Sequence, residues 1–231
     1  HIGYVMMFDG AHGEVMGLAD ASVITEVRTG AVSGVATDLL ARKDAHHLAV
    51  IGAGAQGRSH LAAMMEVRDI QKVTVYDQRR EAAKKYQKEM EEKYKIPVMV
   101  CDSVEEAVKG AEIICTVTPS KEPYLKAEWI TPGAHINAVG AFTPNTREIE
   151  SSLMAKAKLY ADQVEAMKKE CGEYLIPKYE GLFGEEHITG SIGGILAGQV
   201  PGRENDTEIT LFDALGLAVE DVACGRFLCR E

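Results

Sequence analysis

Three glycines with the spacing of a dinucleotide-binding turn follow an apolar segment. Gly52, Gly54 and Gly57 come directly after His47–Ile51, which we predict to be a strand. In a G-x-G-x-x-G turn the first glycine permits a tight bend, and the second lets a pyrophosphate approach the backbone. The third lets the following helix pack closely on the strand. The N–H groups at the start of that helix would bind the phosphates.

A carboxylate at the end of the next predicted strand completes this site. Asp77 lies 20 residues beyond Gly57, directly after Lys72–Tyr76, where we expect it to accept hydrogen bonds from the adenosine ribose. A carboxylate there repels the 2′-phosphate of NADP, so the sequence favours NAD. NADP stays an alternative, because Arg79 and Arg80 could bind that phosphate if Asp77 turned away. The competing interpretation is a glycine-rich structural turn in which Asp77 only forms the loop.

Two further strand ends are expected to face the nicotinamide. Thr118 closes one predicted strand, and Gly140 follows the next. Ligands of open α/β sheets lie over the carboxyl ends of the strands, so both residues would contact the cofactor. On spacing alone, each is equally well explained as a turn residue.

The elements that carry these residues alternate short strands with helices, which is typical of a parallel sheet. Most predicted strands are apolar at consecutive positions, as strands buried on both faces are. They are His47–Ile51, Lys72–Tyr76, Pro97–Val100, Glu112–Thr118, His135–Val139, Lys158–Ala161 and Glu208–Phe212. The sequence therefore predicts the α/β class, with a Rossmann-type doubly wound parallel sheet.

Helix boundaries follow from periodicity and capping residues. An amphipathic helix is predicted over Thr25–Ala41, and Ser103-x-x-Glu106 is a capping box that opens a short helix. Residues 172–205 are rich in glycine and are expected to be irregular apart from one short helix. We expect Asp213 to cap a last helix that runs towards the C-terminus.

Composition excludes several classes of function. The 231 residues carry a formal net charge of −10 and lack the basic patch of a nucleic-acid-binding protein. There is no apolar run of about 18 residues, so we expect no membrane span. Five cysteines without C-x-x-C spacing predict free thiols in a reducing cytoplasm. Seven scattered histidines, none at metal spacing to a carboxylate, predict that no metal is bound.

Five segments, in the same order along the chain, resemble the ornithine cyclodeaminase/mu-crystallin family. The I-T-x-x-R-T string that contains Arg28 and the G-A-Q-x-R-S-H string of the glycine loop are the most specific. The matching segments are Val23–Ala31, Gly52–His60, His135–Gly140, Pro144–Glu148 and Ile209–Gly216. On these residues the chain is identified as a member of that family.

The resemblance implies hydride transfer between the Cα of an amino acid and a nicotinamide, or the reverse reaction on a cyclic imine. It implies that Arg28 binds the substrate carboxylate through its planar guanidinium. On spacing alone, Arg28 would be a charge on a helix surface. The resemblance also implies contacts to the bound molecules from Ala55, Gln56, Asp77, Thr118, Thr146 and Ala214, and from Leu215 towards the substrate.

One loop departs from the cyclodeaminase pattern. Phe142 stands where the ornithine cyclodeaminases have a catalytic Asp, and Thr146 stands where they have a lysine. Phenylalanine cannot accept a proton or orient an amine. We therefore expect an amino-acid dehydrogenase or ketimine reductase. The alternatives are a true ornithine cyclodeaminase that uses another acid, and a non-catalytic, NADP-regulated binding protein like the crystallins.

The resemblance also bears on domains and partners. The family has a preceding, largely β segment with a substrate-binding Arg and Lys and most of the dimer contact, and we expect this chain to begin after it. We predict a remnant of that substrate and dimerisation domain at 1–24, the NAD(P)-binding domain at 25–213, and a helix packing near the cleft at 214–231. The full-length protein is expected to be a homodimer that binds a small amino acid or imine.

Overall fold

The computed structural model describes residues 3–229, so the outermost residues of the predicted segments 1–24 and 214–231 lie outside it. Most strands begin and end within two residues of their predicted positions. The strands are β1 Tyr4–Phe8, β2 Val15–Asp20, β3 His47–Ile51, β4 Lys72–Tyr76, β5 Val98–Val100, β6 Ile113–Thr116, β7 His135–Ala138, β8 Lys158–Ala161, β9 Ile188–Ser191 and β10 Thr210–Asp213.

Eight of these strands form one sheet in the order β5-β4-β3-β6-β7-β10-β8-β9, and each neighbouring pair is parallel. Alternate residues of β3 enter two cores on opposite faces, Leu48 and Val50 in one and Ala49 and Ile51 in the other. This two-sided burial explains why the strands are apolar at consecutive positions. The predicted Rossmann-type α/β fold is confirmed.

The chain order reverses between β3 and β6, and such a switch point is where open α/β sheets bind ligands. From β3 the chain runs outward through β4 to β5, and then returns to build β6 and β7 on the other side. Val117 N donates to Ile51 O at 2.9 Å, and Val139 N donates to Thr116 O at 3.0 Å. The segments that follow β3, β6 and β7 therefore emerge side by side at one edge.

Helices cover both faces of the sheet, and within residues 3–229 the starts of three of them have a side-chain cap, from Asp20, Ser103 and Ser191. The helices are α1 Ala21–Leu40, α2 Ala55–Val67, α3 Arg80–Tyr94, α4 Val104–Val108, α5 Ser151–Lys156, α6 Val164–Glu170, α7 Gly172–Tyr179, α8 Ile192–Leu196 and α9 Ala218–Leu228. Helix α1 begins four residues before its predicted start because Asp20 Oδ1 accepts Ser22 N at 2.7 Å. Ser103 caps α4 as predicted, with its Oγ 3.1 Å from Glu106 N.

Two local predictions were wrong. Asp213 does not cap the last helix, because it is the fully buried final residue of β10, and α9 begins at Ala218 after the turn at Gly216. Residues 172–205 are more regular than predicted, since they contain α7, β9 and α8. Strand β9 is half-buried throughout, so it lacks the apolar run that marks the inner strands.

Strands β1 and β2 form an antiparallel hairpin outside the main sheet, which packs against α1 and α9. Across residues 3–229, no helix is long and apolar enough to cross a membrane. Over the same range, no three His, Cys, Asp or Glu side chains are grouped as metal ligands would be.

Candidate active site

The glycine loop between β3 and α2 has the backbone shape that its sequence predicts. Gly52 has φ +111°, a conformation that side chains with a Cβ rarely adopt, and a Cβ there would lie 2.8 Å from Val117 O. Its N–H donates to Tyr76 O at 2.9 Å. The bend at Gly52 is therefore fixed by Tyr76 on β4 and by Val117 directly after β6.

Gly54 and Gly57 differ in what they contact. A Cβ on Gly57 would overlap the carbonyl oxygen of Gly52, so close packing of α2 on β3 requires glycine there. A Cβ on Gly54 would meet no protein atom within 4 Å, so packing within the protein does not require glycine at this position. Gly54 is also the N-cap of α2 and has no side chain to accept the first N–H groups of that helix. The loop thus fits a diphosphate.

Asp77 is tied to the same loop. Its Oδ2 accepts Ala53 N at 2.9 Å and its Oδ1 accepts Arg79 N at 2.9 Å, and only 14% of the side chain is exposed. Turning the carboxylate away would leave both N–H groups without this acceptor. Arg79 is 81% exposed, and Arg80 forms an ion pair with Asp102. The carboxylate is therefore fixed beside the glycine loop, and a negative charge there suits NAD better than NADP.

Thr118 and Gly140, predicted from separate strand ends, are both bound by Glu148, whose role was not predicted from the sequence. The Glu148 carboxylate accepts Thr118 N at 2.8 Å through Oε1 and Gly140 N at 2.9 Å through Oε2. Thr118 Oγ1 and the Tyr124 hydroxyl both donate to Oε1 at 2.6 Å. Burial raises the pKa of Glu148, while hydrogen bonds from Thr118 and Tyr124 oppose that rise. The only sequence signal for Glu148 was its place at the end of Pro144–Glu148, one of the five segments that resemble the family.

The connection after β7 carries Phe142 and Thr146, and it rests on the start of α7. Gly172 N donates to Thr143 O at 3.2 Å, and a Cβ on Gly172 would overlap the carbonyl oxygen of Thr146. Thr146 Oγ1 lies 2.8 Å from Thr143 Oγ1. Phe142 has 55% of its surface exposed. This loop thus presents an aromatic ring and no carboxylate at the Phe142 position.

Arg28 is not a solvated charge on a helix surface. Its side chain is 15% exposed, and its Nη1 donates to Glu220 Oε2 at 2.8 Å. Its Nε lies 3.3 Å from Asp221 Oδ1. Helices α1 and α2 are in contact close by, where Gln56 Nε2 donates to Thr25 O at 3.4 Å, one helical turn before Arg28.

Ala214 and Leu215 lie in the connection between β10 and α9. Ala214 is buried, and its N–H donates to Ala138 O at 3.0 Å, so it lies beside the end of β7. Leu215 is half-buried and packs against the core that contains Ala49 and Ile51. The next residue, Gly216, donates its N–H to Asp162 Oδ2 at 2.7 Å. A Cβ on Gly216 would lie 2.6 Å from Arg28 Nη1, so this connection runs directly past Arg28.

Comparison with known sequences gives related reductases. A Δ1-pyrroline-2-carboxylate reductase of Bacillus cereus is 41% identical over 227 residues, which cover 98% of this chain and 70% of that protein. The ketimine reductase mu-crystallin of mouse is 39% identical over 228 residues, covering 99% of this chain and 69% of the relative.

Solved structures with the same fold hold nicotinamide cofactors. The Δ1-pyrroline-2-carboxylate reductase of Thermococcus litoralis, in complex with NADH and L-proline, superposes with a TM-score of 0.96 at 41% identity. The match covers 98% of this chain and 70% of that one. An archaeal alanine dehydrogenase, a dimer with bound NAD, gives 0.92 at 38% identity, covering 97% and 69%. The family model for the ornithine cyclodeaminase/mu-crystallin family matches residues 1–230, so the chain belongs to that family.

Proposed function

We propose that this chain is an NAD-dependent oxidoreductase that acts on the C–N bond of a small cyclic imino acid or amino acid. The observation that carries the proposal is the structure of the glycine loop. Packing within the protein does not require glycine at position 54, and the Asp77 carboxylate accepts a hydrogen bond from Ala53 N in the loop. The relatives support the reaction class, since the reductases that resemble this chain are named for pyrroline-2-carboxylate and ketimines. We propose Δ1-pyrroline-2-carboxylate as the first substrate to test.

Each half of the site has a distinct task. When bound, the cofactor supplies or accepts the hydride at the carbon of the C–N bond. Gly52, Gly54 and the first turn of α2 would hold the diphosphate, and Asp77 would hold the adenosine ribose. At the other end, Thr118 and Gly140 would face the nicotinamide. The glycine loop would then orient the adenosine half of the cofactor, and the strand ends would orient its nicotinamide half, on the two sides of the switch point.

The substrate is proposed to bind between Arg28 and the loop that carries Phe142. The Arg28 guanidinium would hold the substrate carboxylate, because its N–H donors match the two oxygens in one plane. Leu215 would pack against the substrate, and Thr146 and Ala214 would line the cofactor side, with Ala55 and Gln56. Phe142 offers an apolar face and no general base, which supports plain redox chemistry over cyclodeamination.

The arrangement of the whole protein is a further part of this proposal. We propose that 1–24 belongs with a substrate and dimerisation domain, that 25–213 binds the cofactor, and that 214–231 packs beside the cleft. The contacts of β1 and α1 with α9 are compatible with this division. A homodimer is proposed because the archaeal alanine dehydrogenase is described as a dimer. We also propose that the protein acts in the cytoplasm, on a small-molecule partner rather than a nucleic acid.

Two glycine substitutions test the cofactor site. Gly54→Ala should leave the thermal midpoint unchanged but weaken NADH binding in calorimetry at least about tenfold, because its methyl group would meet only the ligand. Gly57→Ala should lower the free energy of unfolding by about 2 kcal/mol, because its methyl group overlaps the Gly52 carbonyl. Unchanged NADH affinity in Gly54→Ala would remove the basis of the proposal.

Turnover tests the reaction class. NADH oxidation followed at 340 nm with Δ1-pyrroline-2-carboxylate should give proline. The reverse reaction should appear as NAD reduction by proline at alkaline pH. Release of ammonia from ornithine, with proline formed, would instead identify a cyclodeaminase. Binding of NADH without turnover of any imine or amino acid would favour a binding protein.

A further inference from the structure

The carboxylate of Glu148 is buried between two strand ends, and the proposed reaction gives it no task. Glu148 is fully buried. It receives four hydrogen bonds, from Thr118 N and Oγ1, from the Tyr124 hydroxyl and from Gly140 N, all between 2.6 and 2.9 Å. Three of these donors lie on the connection after β6 and the fourth lies after β7. A side chain in the connection after β7 therefore binds the connection after β6, in addition to the backbone bonds from Val139 N and Gly140 N to Thr116 O at 3.0 and 3.2 Å.

The bonding pattern suits an ionised carboxylate. Such a group only accepts hydrogen bonds, and its two oxygens offer about four sites, which four donors fill here. At Gly140 the backbone comes so close that a Cβ would lie 2.6 Å from the Glu148 carboxyl carbon. A Cβ at position 140 would also overlap the carbonyl oxygen of Thr118, so glycine there is explained by its close approach both to that carbonyl and to the Glu148 carboxylate.

A second buried acid, Glu173, binds the backbone at Glu148. Glu173, on α7, is 1% exposed. Its Oε1 accepts Glu148 N at 2.5 Å and its Oε2 accepts Ile149 N at 3.2 Å. The backbone that carries Glu148 is therefore anchored to a helix, so its carboxylate has a defined position from which to hold the two strand ends.

We propose that Glu148 is a positioning residue for the nicotinamide half of the cofactor. It holds Thr118 and Gly140 at a fixed separation, so that the ends of β6 and β7 form one pocket wall. This inference rests on the proposed function, in which those two residues face the nicotinamide. The adenosine half is held by Gly54 and Asp77 on the far side of β3, and none of the four Glu148 bonds reaches them.

Glutamine is the informative replacement, because it keeps the shape and removes half of the acceptor capacity. With its oxygen towards Thr118 and Tyr124, its amide group would point its own donors at Gly140 N–H. With the amide reversed, those donors would meet the three donors at the other oxygen. Either orientation sets donor against donor and should displace Thr118 or Gly140 from its position.

The test compares NADH with ADP-ribose, which lacks the nicotinamide but keeps the adenosine and both phosphates. In calorimetry, Glu148→Gln should weaken NADH binding about tenfold or more and leave ADP-ribose affinity within about twofold of the unsubstituted chain. The steady-state counterpart is a higher KM for NADH together with a lower kcat. Equal losses for both ligands, or no loss for either, would overturn the positioning role.

Glu112→Gln is the matched control. Glu112 is also a mostly buried acid that accepts two backbone N–H groups, His46 N at 2.9 Å and His47 N at 3.1 Å. These bonds lie at the opposite, amino end of β3. This variant should lose stability without changing the ratio of NADH to ADP-ribose affinity, so a shifted ratio there would contradict the inference.

Tyr124→Phe is the alternative variant, and the unsubstituted chain shows whether a cofactor is bound at all. If Glu148→Gln does not fold, Tyr124→Phe removes one donor from the same oxygen and should show the same selective loss for NADH, only smaller. Parallel losses for both ligands in that variant would again overturn the inference. If the unsubstituted chain binds neither NADH nor ADP-ribose, the proposed function itself fails. If it binds both and the variants show no selectivity, only the role of Glu148 fails.

Discussion

Arg28 on α1 and Glu220 on α9 form an ion pair in which Nη1 lies 2.8 Å from Oε2, with 15% of each side chain exposed. Burial raises the pKa of Glu220, and the positive charge of Arg28 opposes that rise. The last helix thus orients the guanidinium that we propose for the substrate carboxylate. A guanidinium has five N–H donors, so the contacts with Glu220 and Asp221 leave others for a ligand.

Replacing Arg28 with methionine should therefore have two separate effects. The free energy of unfolding should fall by about 2 kcal/mol, because Glu220 loses its charge partner in a mostly buried position. The KM for Δ1-pyrroline-2-carboxylate should rise at least about tenfold, because a charge-assisted hydrogen bond to the substrate is lost. Urea unfolding and steady-state kinetics measure the two effects, while NADH affinity should not change.

The double variant Arg28→Met, Glu220→Gln separates stability from binding. Removing the second charge should restore about half of the lost stability, since only Asp221, which is 27% exposed, then lacks its charge partner. The substrate KM should stay high. A KM that returned to its original value in the double variant would show that Arg28 does not bind the substrate.

Asp77 offers a test of cofactor choice. Asp77→Ser should weaken NADH binding about tenfold, because the ribose and Ala53 N–H both lose a charged acceptor. The affinity for NADPH should rise relative to that for NADH, since the carboxylate no longer repels the 2′-phosphate. The ratio of the two dissociation constants, measured by fluorescence titration, reports the change.

Asp102→Asn is the control for that ratio. Asp102 is 71% exposed and pairs with Arg80 on the same surface, so its replacement should leave NADH affinity unchanged. Combined with Asp77→Ser, it should increase the preference for NADPH further by releasing Arg80. An Asp77→Ser variant that kept the original ratio would remove Asp77 from the cofactor site.

Local sequence pattern predicted the parts of the fold that have a simple periodicity. Strands β3, β4 and β8 begin and end at the predicted residues. They could be read directly because both faces of the sheet are covered, so each strand is a short apolar run. Strand β9 is half-buried and lies beside β8 at the edge of the sheet that residues 3–229 form, and a half-buried strand with a glycine has no such signature.

Residues whose partners are distant in sequence could not be predicted in the same way. Asp213 was expected to cap a helix because an acid after an apolar run is typical of an N-cap. It is instead fully buried at the end of β10, and burial raises its pKa well above the usual value. The role of Glu148 was missed for a related reason, since three of its four donors come from another connection, the one after β6.

Because two histidines are buried, we predict that the free energy of unfolding falls on mild acidification. Burial lowers the pKa of His60 to about 4. Burial and the nearby Arg203 charge lower the pKa of His135 to about 3. The unfolded chain protonates both histidines below about pH 6.5, so between that pH and the folded pKa it binds more protons. The free energy of unfolding should therefore fall with pH, by up to about 1.4 kcal/mol per unit for each histidine.

Other buried groups titrate in the opposite sense, so the test must be a difference between variants. The pKa values of Glu173 and Asp213 are raised by burial, and such acids stabilise the folded state as the pH falls. His60→Gln removes one histidine and should reduce the acid slope between pH 6 and 4.5 by about 1 kcal/mol per unit in urea unfolding. His12→Gln, at a side chain 78% exposed, should leave the slope unchanged. Equal slopes in His60→Gln and the unsubstituted chain would show that His60 is protonated equally in both states, because only a difference in bound protons makes stability depend on pH.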